Sequence, residues 1–408
     1  MNWENLQSDT ARAARASDIR ELLKLTARPD MISFAGGLPD PALFPVAEYE
    51  AAMQRVMENN GAQALQYSTT EGLTELRQEL VRRLADEQIN CAGGIDEIIL
   101  TTGSQQALDL LALLLINPGD TILVEAPSYL GALQAFNLRQ PHYESVEMDG
   151  EGLRIDLLEA KLAELKREGR QPKFLYTVPT FQNPAGVTLT LERRRALLEL
   201  ARRENFLIIE DDPYGRLRFR GEALPSLKSL DTDGRVITLR TFSKTLAPGL
   251  RTGYIIGDPE ILRRVVILKQ AADLCSPALT HYIILEMLKS GAMERYIERV
   301  VEVYREKEEV MATELEARLG GSPVRWNEPD GGMFFWLTLP HDIDCNALLL
   351  QSLEAGVAYV RGAAFYTDGI SGLNCMRLNF SQPSPEKIKL GIERLATIIQ
   401  ASLLAKRA

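Results

Sequence analysis

Histidine is scarce in this chain. There are three in 408 residues, His142, His281 and His341, and none stands in an HxxxH or HExxH spacing. A histidine-based metal centre or a Ser-His-Asp triad has little material to work with, so no metal is expected. Cysteine is scarce as well: Cys91, Cys275, Cys345 and Cys375 fall at wide, irregular intervals that make neither a CxxC pair nor a disulfide framework. They are expected as reduced core residues. Long apolar runs are missing; the greasiest stretch, Leu108 to Ile116, is too short to cross a bilayer, carries Asp109 and reads as a buried helix. Basic charge is in deficit, with 46 Lys and Arg against 56 Asp and Glu. The net −10 disfavours nucleic acid or an anionic membrane as the main partner, yet permits a local site for a small anion. The first twenty residues hold no apolar core of signal-peptide length, so a cytoplasmic protein is expected. What remains, 45% hydrophobic and 25% charged residues, is the composition of a soluble globular enzyme large enough for two lobes.

From about Gln66 to Leu262, short β-rich runs alternate with amphipathic stretches: Glu97–Thr101, Thr121–Val124, Phe174–Thr177, Phe206–Ile209, Val236–Leu239 and Thr252–Ile256. This alternation predicts an α/β domain with a largely parallel sheet buried on both faces. Ligands bind such sheets beside the carboxyl ends of the strands, so the polar residues that stop these runs carry the interest. Around Met293 to Leu319 a run of charges, Glu294 through Lys307, reads as a long solvated connector helix. Beyond it Gly332–Leu337, Ala358–Val360 and Met376–Phe380 are predicted strands, and Ser384-Pro385 opens a closing helix. The division expected is an N-terminal arm with part of a small domain (1–50), a large domain (51–292) and a C-terminal α+β small domain (293–408).

Each strand end offers a functional and a plain reading. Gly103-Ser104-Gln105 opens a helix whose free N–H groups suit a phosphate, or Ser104 only caps it. Tyr129 stands where a ring could stack on a flat cofactor, or is a packed surface residue. Asn183 precedes Pro184 in what is either a turn or a ligand for a ring oxygen. Glu210, Asp211 and Asp212 need a partner if buried, either a local salt bridge or a protonated pyridine nitrogen. Lys244, in Arg240-Thr241-Phe242-Ser243-Lys244-Thr245 with Arg251 after it, is either a solvated loop lysine or a reactive amine beside a phosphate cradle. On the predicted strand Met376–Phe380, alternation turns Arg377 away from the core face, toward solvent or toward a cleft where it would grip a carboxylate.

Taken together and in this order, these segments resemble the fold-type I PLP-dependent aminotransferases, classes I and II, from about Ser17 to the end of the chain. The resemblance implies a large domain with a mostly parallel sheet beside a smaller α+β domain. It implies that Lys244 forms the Schiff base with pyridoxal 5'-phosphate and shuttles the substrate proton. It places Asp211 on the pyridine nitrogen, Asn183 and Tyr214 on the 3′-oxygen and Tyr129 on the ring face. Ser104, Gln105, Thr241, Ser243 and Arg251 hold the phosphate, and Arg377 binds the substrate α-carboxylate. Tyr67 looks like the tyrosine that reaches the partner subunit, which implies a homodimer with shared sites. The stretch Ser17 to Leu25, followed by Ile32-Ser33-Phe34-Ala35-Gly36-Gly37-Leu38-Pro39, is similar to the 2-aminoadipate and kynurenine branch. Ser17, Arg20 and Gly37 are thereby candidates for substrate contact, although Ser17 and Arg20 would equally suit the cap and the solvated face of an amphipathic helix.

The expected activity is amino transfer from an L-α-amino acid (2-aminoadipate, glutamate, aromatic or branched-chain) to a 2-oxo acid such as 2-oxoglutarate. One rival is a PLP-binding sensor of transcription-regulator type, disfavoured by the few residues before the resemblance and by the net charge. Another is β-elimination or decarboxylation on the same fold.

Overall fold

The computed structural model describes residues 3–14 and 31–406. Ser17, Arg20 and the helix expected around them lie outside these. The apolar runs assemble into an eight-stranded sheet of β2 (Ile98–Thr101), β3 (Thr121–Ala126), β4 (His142–Asp149), β5 (Gly152–Leu153), β6 (Phe174–Thr177), β7 (Leu207–Asp211), β8 (Val236–Thr241) and β9 (Gly253–Ile256), in the order β2-β9-β8-β7-β6-β3-β4-β5. Neighbours from β8 to β4 pair in parallel, whereas β9 runs against both β8 and β2. Every residue of β2, β6, β8 and β9 is buried, because helices cover both faces and leave no solvent side for polar residues to alternate onto.

This topology brings the ends of β2, β3, β6, β7 and β8, and the start of β9, to one edge. Gly253 is in register with both Thr101 and Thr241. β7 continues two residues past the expected Ile209, so Glu210 and Asp211 are buried strand residues rather than loop acids.

A second, four-stranded sheet has the order β10 (Arg325–Trp326), β11 (Phe334–Thr338), β14 (Cys375–Asn379), β13 (Val360–Arg361). The run expected as one strand, Ala358–Val360, is shared between β13 and β12 (Val357–Ala358), and β12 pairs in parallel with β1 (Ile32–Ser33). An early segment of the chain is thereby stitched to the last third of it. Beyond β1, Phe34 N and Asn379 N continue the bonding, to Ala358 O and Phe34 O, each at 2.8 Å.

The expectation of a solvated connector fails on one face of the helix Ala292–Leu319. Tyr296, Val300, Tyr304, Met311 and Leu315 recur at intervals of three to four residues or their multiples and are buried, and the helix packs on Pro385–Ala405. Lys307 lies on that buried face. Its ammonium donates to Asp40 Oδ2 at 2.6 Å and to Ser381 O at 2.8 Å, while Tyr304 Oη accepts from Asp40 N at 3.3 Å. The four free cysteines are buried except Cys275, which is half-buried.

Lys307→Met leaves the Asp40 carboxylate part-buried without its cation. The expected cost is about 2–3 kcal/mol, read as a lower urea midpoint at unchanged m-value.

Candidate active site

At the shared sheet edge, the helix Gly103–Leu115 aims its N-terminus at the turn between β8 and β9. The approach depends on glycine. A Cβ on Gly253 would lie 3.0 Å from Ser104 N and 2.7 Å from Arg240 O, and one on Gly103, at φ +73°, would lie 2.7 Å from an Arg251 nitrogen. Thr102, not Ser104, occupies the cap position; Ser104 is the second helical residue, and Gln106 Oε1 accepts from Thr102 N at 2.8 Å. The Gln105 side chain donates to Gly131 O at 2.9 Å. Across the gap Thr241 Oγ1 donates to Ser243 Oγ at 2.9 Å and accepts from Ser243 N at 3.1 Å, and Arg251 sits at φ +48° with its guanidinium on the Gly103 backbone. Helix N–H groups, two hydroxyls and an arginine converge as an anion cradle.

The three consecutive acids have three separate fates. Glu210 accepts from Leu227 N, Lys228 N and Thr238 Oγ1, which ties down the short helix Leu227–Leu230. Asp212 pairs with Arg240 at 3.2 Å and accepts from Gly215 N. Asp211, 2% exposed, accepts from Tyr176 Oη at 2.8 Å through Oδ2, while its buried Oδ1 has no partner among the described residues. Burial pushes the Asp211 carboxyl up to about 7; the tyrosine bond opposes this, and the nearby Asp212 and Glu125 add to it.

Lys244 is half-buried in the cleft, and its Nζ donates to Gly37 O at 2.6 Å. Desolvation, with Arg377 and Arg251 nearby, lowers its amine to about 8. Arg377, 2% exposed, does face away from its own lobe's core, but into the cleft and not to solvent. It donates to Asn183 Oδ1 and to Ala35 O, both at 2.8 Å, and its guanidinium lies 4.3 Å from the Phe334 ring centroid and 5.1 Å from that of Phe365. Among the described residues no carboxylate pairs with it, and burial pushes it down to about 10. Asn183 Nδ2 in turn donates to Tyr214 Oη at 3.2 Å, and Tyr214 packs edge-on against Phe334. Tyr129, past the end of β3 at the cap of the helix Leu130–Asn137, folds its ring over Gly131, within electrostatic reach of Asp211, Arg377 and Arg251.

The structure thus brings Ser104, Tyr129, Asn183, Asp211, Tyr214, Thr241, Ser243, Lys244, Arg251, Gly37 and Arg377 to one cleft. Tyr67 is apart, 78% exposed on the outside of the chain. Sequence reasoning passed over Tyr176, Gly253 and the close approach of Gly253 to the Gly103-Ser104 turn. A tyrosine inside an apolar strand gives no signal, whereas a glycine opening a strand beside a Gly-Ser helix start does mark close backbone approach.

These residues fit PLP: an unpartnered buried carboxylate oxygen for a protonated ring nitrogen, a cradle for the phosphate and an amine in the cleft between them. Sheet and site together define a PLP-dependent enzyme of fold type I. A family model described as "Aminotransferase class I and II" matches residues 29–395, and the chain belongs to that family. It is 45% identical over 403 residues to aromatic-amino-acid aminotransferase 1 of Thermococcus litoralis, covering 99% of this chain and 96% of that protein. It is 41% identical over 406 residues to the 2-aminoadipate transaminase of Thermus thermophilus, covering 99% and 98%. Among solved structures, the Pyrococcus horikoshii kynurenine aminotransferase, in complex with PMP, KYN as substrates and KYA as products, superposes with a TM-score of 0.95 at 45% identity, covering 98% of each chain. The protein is a PLP-dependent aminotransferase. Among the described residues no helix is long and apolar enough to cross a membrane.

Only the neutral amine attacks a carbonyl, so if Lys244 is the amine that takes up PLP, the rate of uptake by apoenzyme is expected to rise through about pH 8 and then level off. Stopped-flow absorbance checks this; an inflection near 10, as for a solvated lysine, contradicts the environment assigned to Lys244.

Proposed function

We propose that the enzyme moves the amino group of an L-α-amino acid, of the 2-aminoadipate, glutamate, aromatic or branched-chain kind, to a 2-oxo acid such as 2-oxoglutarate. The observation that carries this reading is the buried Arg377 guanidinium, without a carboxylate partner among the described residues and within electrostatic reach of Lys244. These donors differ in their side chains and share an α-carboxylate. A planar donor fork fixed by Asn183 and Ala35 suits that carboxylate.

In this reading Lys244 Nζ would hold PLP covalently, and Ser104, Gln105, Thr241, Ser243 and Arg251 would hold its phosphate. Asp211 Oδ1 meets the ring nitrogen, Asn183 and Tyr214 meet the ring oxygen, and Tyr129 covers the ring. Bound PLP supplies an electron-accepting ring that stabilises the charge left when a substrate Cα–H bond breaks. Lys244 Nζ would take the substrate Cα proton and return it in the second half of the transfer. An amine near pKa 8 is well suited to that work at neutral pH. Gly37 O, which accepts from Lys244 Nζ at 2.6 Å, would line the substrate side.

The same reading makes the protein a homodimer of amino-acid metabolism in the cytoplasm, with the exposed Tyr67 entering the partner's site. Arg20 and Ser17, outside the described residues, are proposed to meet the substrate's far end. The lobe boundaries proposed remain 50/51 and 292/293.

Lys244→Ala is expected to abolish transamination even when reconstituted with PLP. Arg377→Lys should lower kcat/KM roughly 100-fold, by similar factors for aminoadipate, glutamate and an aromatic donor, because the α-carboxylate is common to all. Product analysis across that panel with 2-oxoglutarate as acceptor measures both. Full turnover by Lys244→Ala, or a loss confined to one donor in Arg377→Lys, would contradict the assignments.

A further inference from the structure

Tyr176 stands on β6, the strand beside β7, and is fully buried. Its ring packs edge-on against Phe136, 5.5 Å between centroids, and its hydroxyl donates to Asp211 Oδ2 at 2.8 Å. Among the described residues this is the one hydrogen bond made to the Asp211 side chain, and it leaves the buried Oδ1 open. We propose that Tyr176 is a positioning residue for the reaction: its hydroxyl turns Oδ1 of Asp211 toward the cofactor's ring nitrogen and keeps that carboxylate ionised. The inference rests on the reading that Asp211 meets that nitrogen.

The surroundings give Asp211 little other help. Tyr129 and Tyr214 reach it as neutral phenols. From β3, Glu125 opposes a second negative charge, as does the neighbouring Asp212, which Arg240 only partly offsets. Burial works in the same direction, so the carboxylate is poised to become neutral and a single donor bond decides its state. A hydrogen bond to the ionised form lowers its proton affinity, which leaves the proton on the ring nitrogen. Removing the hydroxyl shifts that proton toward Asp211. The ring then withdraws fewer electrons, and the Schiff-base nitrogen on Lys244 becomes more basic.

Tyr176→Phe keeps the ring and its packing and removes only the donor. Titrating the visible absorbance of the holoenzyme against pH should show the Schiff-base midpoint raised by about one pH unit or more, a tenfold change in proton affinity. Phe136→Leu, which loosens the ring's packing and leaves the hydroxyl in place, should keep the midpoint of the unsubstituted enzyme. An unmoved or lowered midpoint in Tyr176→Phe overturns the proposal. Equal shifts in both variants overturn it as well, because packing would then be the cause. If the unsubstituted holoenzyme has no titrating band, the assignment of Lys244 and Asp211 fails first and this inference falls with it.

Discussion

At the site the small sheet is tied to the large one by the Arg377 guanidinium. It belongs to β14 of the small sheet, yet one of its nitrogens bonds Asn183 beyond β6 of the large sheet and another bonds Ala35 in the segment after β1. A charge buried without a counter-ion is costly, and here two fixed carbonyl dipoles and two aromatic faces hold it in place. The same contacts that keep the arginine buried fix Asn183, and through it Tyr214, and they set the height of the Gly36-Gly37 strap over Lys244. Lobe geometry and site geometry are therefore one constraint.

The strap is held at its far end as well. Lys307, on the long helix, grips Asp40 and Ser381 O, and Ser381 Oγ bonds Leu38 O. Between these anchors and Ala35 the chain has little freedom, so the carbonyl of Gly37 meets the lysine amine at a defined place. Charge placement on the opposite wall follows the same logic. Of three adjacent acids, two are consumed by the scaffold, and only Asp211 keeps an oxygen unengaged at the sheet edge.

Much of this was legible in the sequence because the chemistry sits where apolar runs stop. Ser104, Asn183 and Lys244 each follow such a run, and strand-end placement put them on one edge, whereas Arg251 precedes its run and reaches that edge only because β9 is reversed. Arg377 was placed on the correct face by period-two alternation, although alternation could not tell solvent from cleft. Other features were hidden for physical reasons. Charges at the helix surface masked the buried stripe of Ala292–Leu319, and with it the burial of Lys307, because its apolar residues are interleaved with acids and arginines. Asp211 was read as following its strand, since a buried carboxylate inside a strand breaks the apolar pattern used to find strands. The bond from Tyr176 depends on the pairing of β6 with β7, which no local pattern encodes.

The reversed strand β9 closes the large sheet beside the cradle. β2 has no sheet neighbour among the described residues except β9, and β9 lies far downstream of it in the chain. The turn that carries Arg251 and the helix start at Gly103 are brought together by that pairing. Without β9 and β2 the strands β3 to β8 would present an open edge at β8, and the Gly103 and Arg251 sides of the cradle would not meet. Edge protection and the anion cradle are therefore one arrangement: the pairing that covers β8 is also the pairing that builds the cradle.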